Sequence, residues 1–87
     1  MTVVIPCHLG LHARCAMKIV PFMKQFRSDI QIRKGSAVVD GKSIIGLMSL
    51  GASYGTRLEV EVMGMDAEMA QAAIEAFFNE SNYCADH

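Results

Sequence analysis

The chain has little excess charge of either sign. Eight Lys and Arg stand against nine Asp and Glu, a net charge of −1, and acids and bases are interspersed. Nothing in that balance favours nucleic acid or a membrane surface as partner. Long hydrophobic runs are also missing, since Lys, Pro or Gly interrupts every apolar stretch before it could span a bilayer. The opening Met-Thr-Val-Val-Ile-Pro has no basic segment leading into a cleavable apolar one, so a secretion signal is not expected. The three cysteines, Cys7, Cys15 and Cys84, form an odd set without CxxC spacing. That pattern argues against a secreted disulfide framework and against a zinc knuckle. Cys7, His8, His12 and Cys15 are poor joint metal ligands, because adjacent residues of an extended segment point apart. No metal is expected. Two prolines and no low-complexity stretch leave no linker, so the 87 residues read as one soluble, cytoplasmic domain.

What is present is ample apolar material, 52% of residues, arranged with clear periodicity. Thr2 to Ile5 is β-branched and apolar, a strand stopped by Pro6. A helix is expected from about Ala13 to Phe26, with Ala16, Ile19, Val20 and Met23 as its buried stripe. Pro21 falls inside it and costs roughly 3 kcal/mol, which predicts a tolerated bend or an early end near Val20. Asp29 to Lys34 alternates as a half-buried strand, Gly35-Ser36 turns, and Ala37 to Val39 returns as its hairpin partner. Ser43 is placed to cap a short helix ending near Gly51. Arg57 to Val62 alternates with Leu58, Val60 and Val62 inward. Asp66 is expected to cap a last helix buried through Ala70, Ala73, Ile74 and Phe77, and residues 80–87 to form a flexible tail. The order βαββαβα predicts an α+β fold, with helices on one face of an antiparallel sheet.

The stretch Gly10-Leu11-His12-Ala13-Arg14-Cys15-Ala16-Met17-Lys18 concentrates the chemistry. His12 stands where the helix begins, among backbone N–H groups that have no partner within the helix. These donors and the helix dipole form a small anion site, and Arg14 adds a planar cation suited to phosphate oxygens. An imidazole beside an anion site can carry a phosphoryl group on nitrogen. Gly10 would let a donor approach closely.

Gly-Leu-His-Ala-Arg resembles the active-site loop of the histidine-containing phosphocarrier (HPr) family of the bacterial phosphotransferase system. Gly41-Lys42-Ser43-Ile44-Ile45-Gly46-Leu47-Met48-Ser49-Leu50-Gly51-Ala52 resembles the family's regulatory-serine helix, at the family's spacing. The resemblance implies an open-faced sandwich, a four-stranded antiparallel sheet covered on one face by three helices. It implies that His12 accepts a phosphoryl group from enzyme I, charged by phosphoenolpyruvate, and passes it to enzyme II components such as the A component. Arg14 would stabilise the phosphate, and no cofactor would be needed. Leu47 and Leu50 can fill the core, which leaves Ile44, Ile45 and Met48, with Met17 and Lys24 of the first helix, for partner docking. Ser43 matches the serine modified by a dedicated kinase and phosphorylase, and a monomer is expected.

The chain departs from the family pattern at Leu9, at Pro21, and at Cys15, which replaces a usual proline. Cys15, in the first helical turn beside Arg14, is a candidate for redox modulation, set against its reading as a buried apolar side chain. A second functional class stays open: a regulatory binding module of the same fold, controlled through Ser43. Retention of His12 and Arg14 favours the carrier.

Overall fold

The computed structural model describes residues 1–5, 7 and 10–79. The Leu9 departure, His8, Cys84 and the expected tail at 80–87 lie outside them. The elements run β1 (Thr2–Val4), α1 (Ala13–Lys24), β2 (Asp29–Lys34), β3 (Ala37–Asp40), α2 (Ile44–Ser49), β4 (Arg57–Met63) and α3 (Ala67–Asn79). All strand pairs are antiparallel, in the order β1-β4-β2-β3. The three helices and one four-stranded sheet are those expected.

Alternation along the strands decides which face is covered. Ile30 stands opposite Val62 and Ile32 opposite Val60, and Val3 lies beside Leu58. All six are buried, while Gln31, Arg33 and Glu61 point to the exposed side. The helices add Ala16, Ile19, Val20 and Met23 from α1, Leu47 from α2, and Ala70 and Ile74 from α3. Burying each large aliphatic side chain is worth about 1.5–3 kcal/mol, so this layer is what holds helices to sheet.

Of the two readings of Pro21, the early end does not occur: α1 tolerates the proline and continues to Lys24. Pro21 and Met17 are both exposed, so the carbonyl deprived of its helical donor lies on the solvent side. The helix ends at Lys24 rather than Phe26, and the backbone N–H of Gln25 turns back to Phe22 and Met23 carbonyls. In α3 the buried side chains are Ala70, Ile74 and Phe78, while Ala73 and Phe77 are half-buried. Phe77 instead stacks on Phe22 of α1, with centroids 4.1 Å apart and planes at 17°.

Asp66 stands before α3 as expected, its carbonyl accepting the Ala70 N–H at 2.8 Å. Its carboxylate has a further use, accepting hydrogen bonds from the backbone N–H groups of Arg27 and Ser28, both at 2.9 Å, and from the Ser28 hydroxyl. It thereby ties the β4–α3 corner to the α1–β2 corner. The Ser28 hydroxyl bond first, then the Arg27 N–H, hold the Asp66 carboxyl below its ordinary value. Gly64 belongs to the same junction: a Cβ there would lie 2.7 Å from Ser28.

Candidate functional site

The site is built on the loop that enters α1. Gly10 has φ +83°, and a Cβ on it would lie 2.8 Å from the Ala52 carbonyl oxygen. Glycine is therefore required by close approach of the chain to the segment after α2, since Gly10 is buried and not open to a donor. Leu11, also buried, donates its N–H to the Ala52 carbonyl at 2.8 Å. The Gly10 N–H donates to Cys7 and the His12 N–H to Gly10, both at 2.9 Å. These bonds pin the loop before the helix starts.

His12 is the N-cap of α1, in extended backbone at φ −100° and ψ −176°. Its Nδ1 accepts the Arg14 backbone N–H at 3.2 Å, and its carbonyl accepts the Ala16 N–H, the first bond of the helix. An accepting Nδ1 must carry a lone pair, so the neutral ring holds its proton on Nε2. The Nδ1 lone pair thus faces the Arg14 N–H in the first turn. Side chains of His12, Arg14, Met17 and Lys18, with Ala13, line an open depression of about 700 Å³. Lys18 closes the motif stretch but was given no role there, although its place four residues after Arg14 puts it on the same helical face.

The cysteines differ most from expectation. Cys7 and Cys15 are joined in a disulfide, with Cα atoms 6.6 Å apart, and are 4% and 3% exposed. Cys15 is therefore buried, as one reading held, but it is a bonded cysteine rather than a lone thiol beside Arg14. The chain between the two carries Gly10, Leu11 and His12 and caps the helix.

The remaining expected residues fall into two groups. Met17, 60% exposed, shares the depression with His12. Lys24 is exposed but lies ten residues beyond Arg14, about 15 Å along the helix axis, so it does not join the histidine. On α2, which packs beside α1, Ser43 is the N-cap and its Oγ accepts the Gly46 N–H at 3.0 Å. Leu47 and Leu50 are buried as expected, whereas Ile44, Ile45 and Met48 are 38%, 80% and 43% exposed. Among the described residues no helix is long and apolar enough to cross a membrane.

A family model described as "PTS HPr component phosphorylation site" matches residues 1–80. The phosphocarrier protein HPr of Neisseria meningitidis serogroup A is 42% identical over 71 residues, 82% of this chain and 80% of that protein. The phosphocarrier protein NPr of Escherichia coli K12 is 38% identical over 79 residues, 90% of this chain and 88% of that one. The crystal structure of HPr-C-His from Thermoanaerobacter tengcongensis aligns with a TM-score of 0.86 at 36% identity, covering 93% and 91% of the two chains. Agreement in sequence and in fold over most of the length gives the assignment: the chain belongs to the HPr family of phosphocarrier proteins of the phosphotransferase system.

Proposed function

We propose that this chain is a covalent carrier of the phosphoenolpyruvate-dependent sugar phosphotransferase system, taking a phosphoryl group on His12 from enzyme I and delivering it to enzyme II components. The observation that carries the reading is the bond from the Arg14 backbone N–H to His12 Nδ1. The Nδ1 lone pair attacks phosphorus, an N–P bond forms, and the bond from phosphorus to the donor enzyme breaks. The Arg14 N–H then exchanges its imidazole acceptor for a phosphoryl oxygen. The helix end and the Arg14 side chain offset the added negative charge, and Nε2 keeps its proton. Phosphoryl transfer asks mainly for such positioning and charge neutralisation. The partners supply the rest of the catalytic machinery.

Docking is assigned to the exposed apolar side chains Met17, Ile44, Ile45 and Met48 beside that site, with Lys24 at the far margin. Ser43 is assigned as a regulatory site for a serine kinase and phosphorylase. Phosphate on its oxygen would displace a helix-capping bond and set charge against Ile44 and Ile45. The monomer serves as the cytoplasmic carrier.

The test is to mix the purified chain with enzyme I and phosphoenolpyruvate and measure intact mass. One acid-labile phosphate is expected, and it should be absent from His12→Ala. Equal labelling of the variant would sink the assignment.

A further inference from the structure

We propose that the Cys7–Cys15 pair is a reversible dithiol–disulfide switch that sets the order of the His12 loop and so the rate at which it accepts phosphate. The proposal rests on the carrier reading above for its functional half, and on the loop geometry alone for its structural half.

The two sulfurs bracket the loop from opposite ends. Cys7 follows β1, whose sheet pairing continues at Ile5 through bonds with Thr56 and Gly55. Cys15 lies three residues beyond the His12 cap, in the first turn of α1. Their bond therefore links the sheet edge directly to the turn whose N–H groups face Nδ1. Among the described residues, the loop is otherwise held by short local bonds and by the backbone bond from Leu11 to Ala52. Two unbonded sulfurs need well over an ångström more separation than a disulfide allows. Both cysteines are buried, so the wider separation presses on packed neighbours, and the loop between them is the part that gives. In the oxidised form His12 and the Arg14 N–H are held in the capping arrangement, where a phosphoryl oxygen can take the N–H without backbone movement. Loss of that order costs rate through misplacement of the reacting groups.

The chemistry needs only a disulfide of low molecular weight, such as glutathione disulfide, as oxidant. Cys15, as thiolate, attacks one sulfur of the oxidant and releases one thiolate. Cys7, as thiolate, attacks the Cys15 sulfur of the mixed disulfide and releases the second. The protein loses two protons and two electrons, and the oxidant becomes two thiols. A dithiol reductant reverses the sequence.

The experiment uses the full chain carrying Cys84→Ser, incubated with glutathione disulfide or with dithiothreitol. Alkylation and peptide mapping should place the bond between Cys7 and Cys15 in the oxidised sample only. Amide hydrogen exchange across residues 10–16 should be slower in that sample. Phosphate acceptance from enzyme I should fall by roughly tenfold on reduction. Cys7→Ser and Cys7→Ala should show the slow rate under both conditions, two variants guarding against a substitution that disturbs folding. Failure of the bond to form, or equal exchange and equal acceptance in the two states, would overturn the proposal. If neither state takes phosphate while their exchange differs, the carrier reading fails and the structural switch stands.

Discussion

His12 and Arg14 are neighbours in sequence, and their relation was legible because a helix N-cap and its N2 residue are bonded locally. Backbone N–H and side-chain charge are separable at Arg14, which yields a prediction. Arg14→Ala keeps the N–H that Nδ1 accepts and removes only the exposed guanidinium. Transfer from enzyme I should slow about tenfold or more, with a thermal midpoint within a degree or two of the parent, as usual for exposed sites. Normal transfer kinetics with a large loss of stability would make Arg14 a folding residue. The use of the Asp66 carboxylate was hidden for the converse reason: its donors, Arg27 and Ser28, lie 39 and 38 residues away. No local pattern announces such a bond. Because these bonds lower the Asp66 pKa, their stabilisation is present above the unfolded carboxylate value near 3.8 and is lost as pH falls through the lower folded value. Thermal midpoints of the parent and Asp66→Asn should therefore differ at pH 7 and converge in strong acid. A gap constant across that range would mean that the carboxylate charge is not what the two corners use.

At the scale of elements, α1, β2, β4 and α3 were readable from period, because each has one covered face, whereas β1, β3 and α2 were readable from β-branched content, turns and caps. The ends were less readable. α1 stops where Gln25 folds back, a choice between the Phe22 and Met23 carbonyls that hydrophobic periodicity does not encode. α3 buries residues at intervals of four, Ala70, Ile74 and Phe78, and the sequence offered Phe77 as an equally apolar choice. Phe22 decides between them by stacking on Phe77 from α1, a contact between elements distant in sequence. The short α2 shows the opposite case. Ser43 at its head, Gly51 at φ +62° just past its end, and Leu47 turned inward leave Ile45 with no core position to fill. Ile45→Glu should consequently weaken binding to enzyme I tenfold or more, read by titration calorimetry, while shifting the midpoint by only a few degrees, since exposed changes are usually within about 0.5 kcal/mol. Unfolding of the variant would return Ile45 to the core and remove the docking role from α2.

Considered as a whole, the molecule has one apolar layer between sheet and helices, and Cys7, Leu11 and Cys15 belong to it, so the His12 loop is anchored in the core from both ends. The clasp was hidden in the sequence because seven residues between cysteines match no metal or redox spacing. Closure depends on the turn at Gly10, which has a positive φ and lies too close to Ala52, from another part of the chain, to carry a Cβ. The bond nevertheless acts on the entire domain, since it closes a loop of sequence separation 8 in the unfolded chain as well. Loop-closure entropy for so short a ring is about 2.5 kcal/mol. In a domain of this size each kcal/mol moves the midpoint by roughly 4–8 °C. Calorimetry of the Cys84→Ser chain should therefore show the midpoint falling by about 10–20 °C on reduction, with a single transition in both states. Most of the core layer comes from the strands and helices rather than from the loop, so the reduced chain should still fold. A midpoint unmoved by reductant would mean that Leu11, Gly10 and the capping bonds already hold the loop as tightly as the disulfide. A second, lower transition appearing only on reduction would instead show the loop and the first turn of α1 melting apart from the sheet.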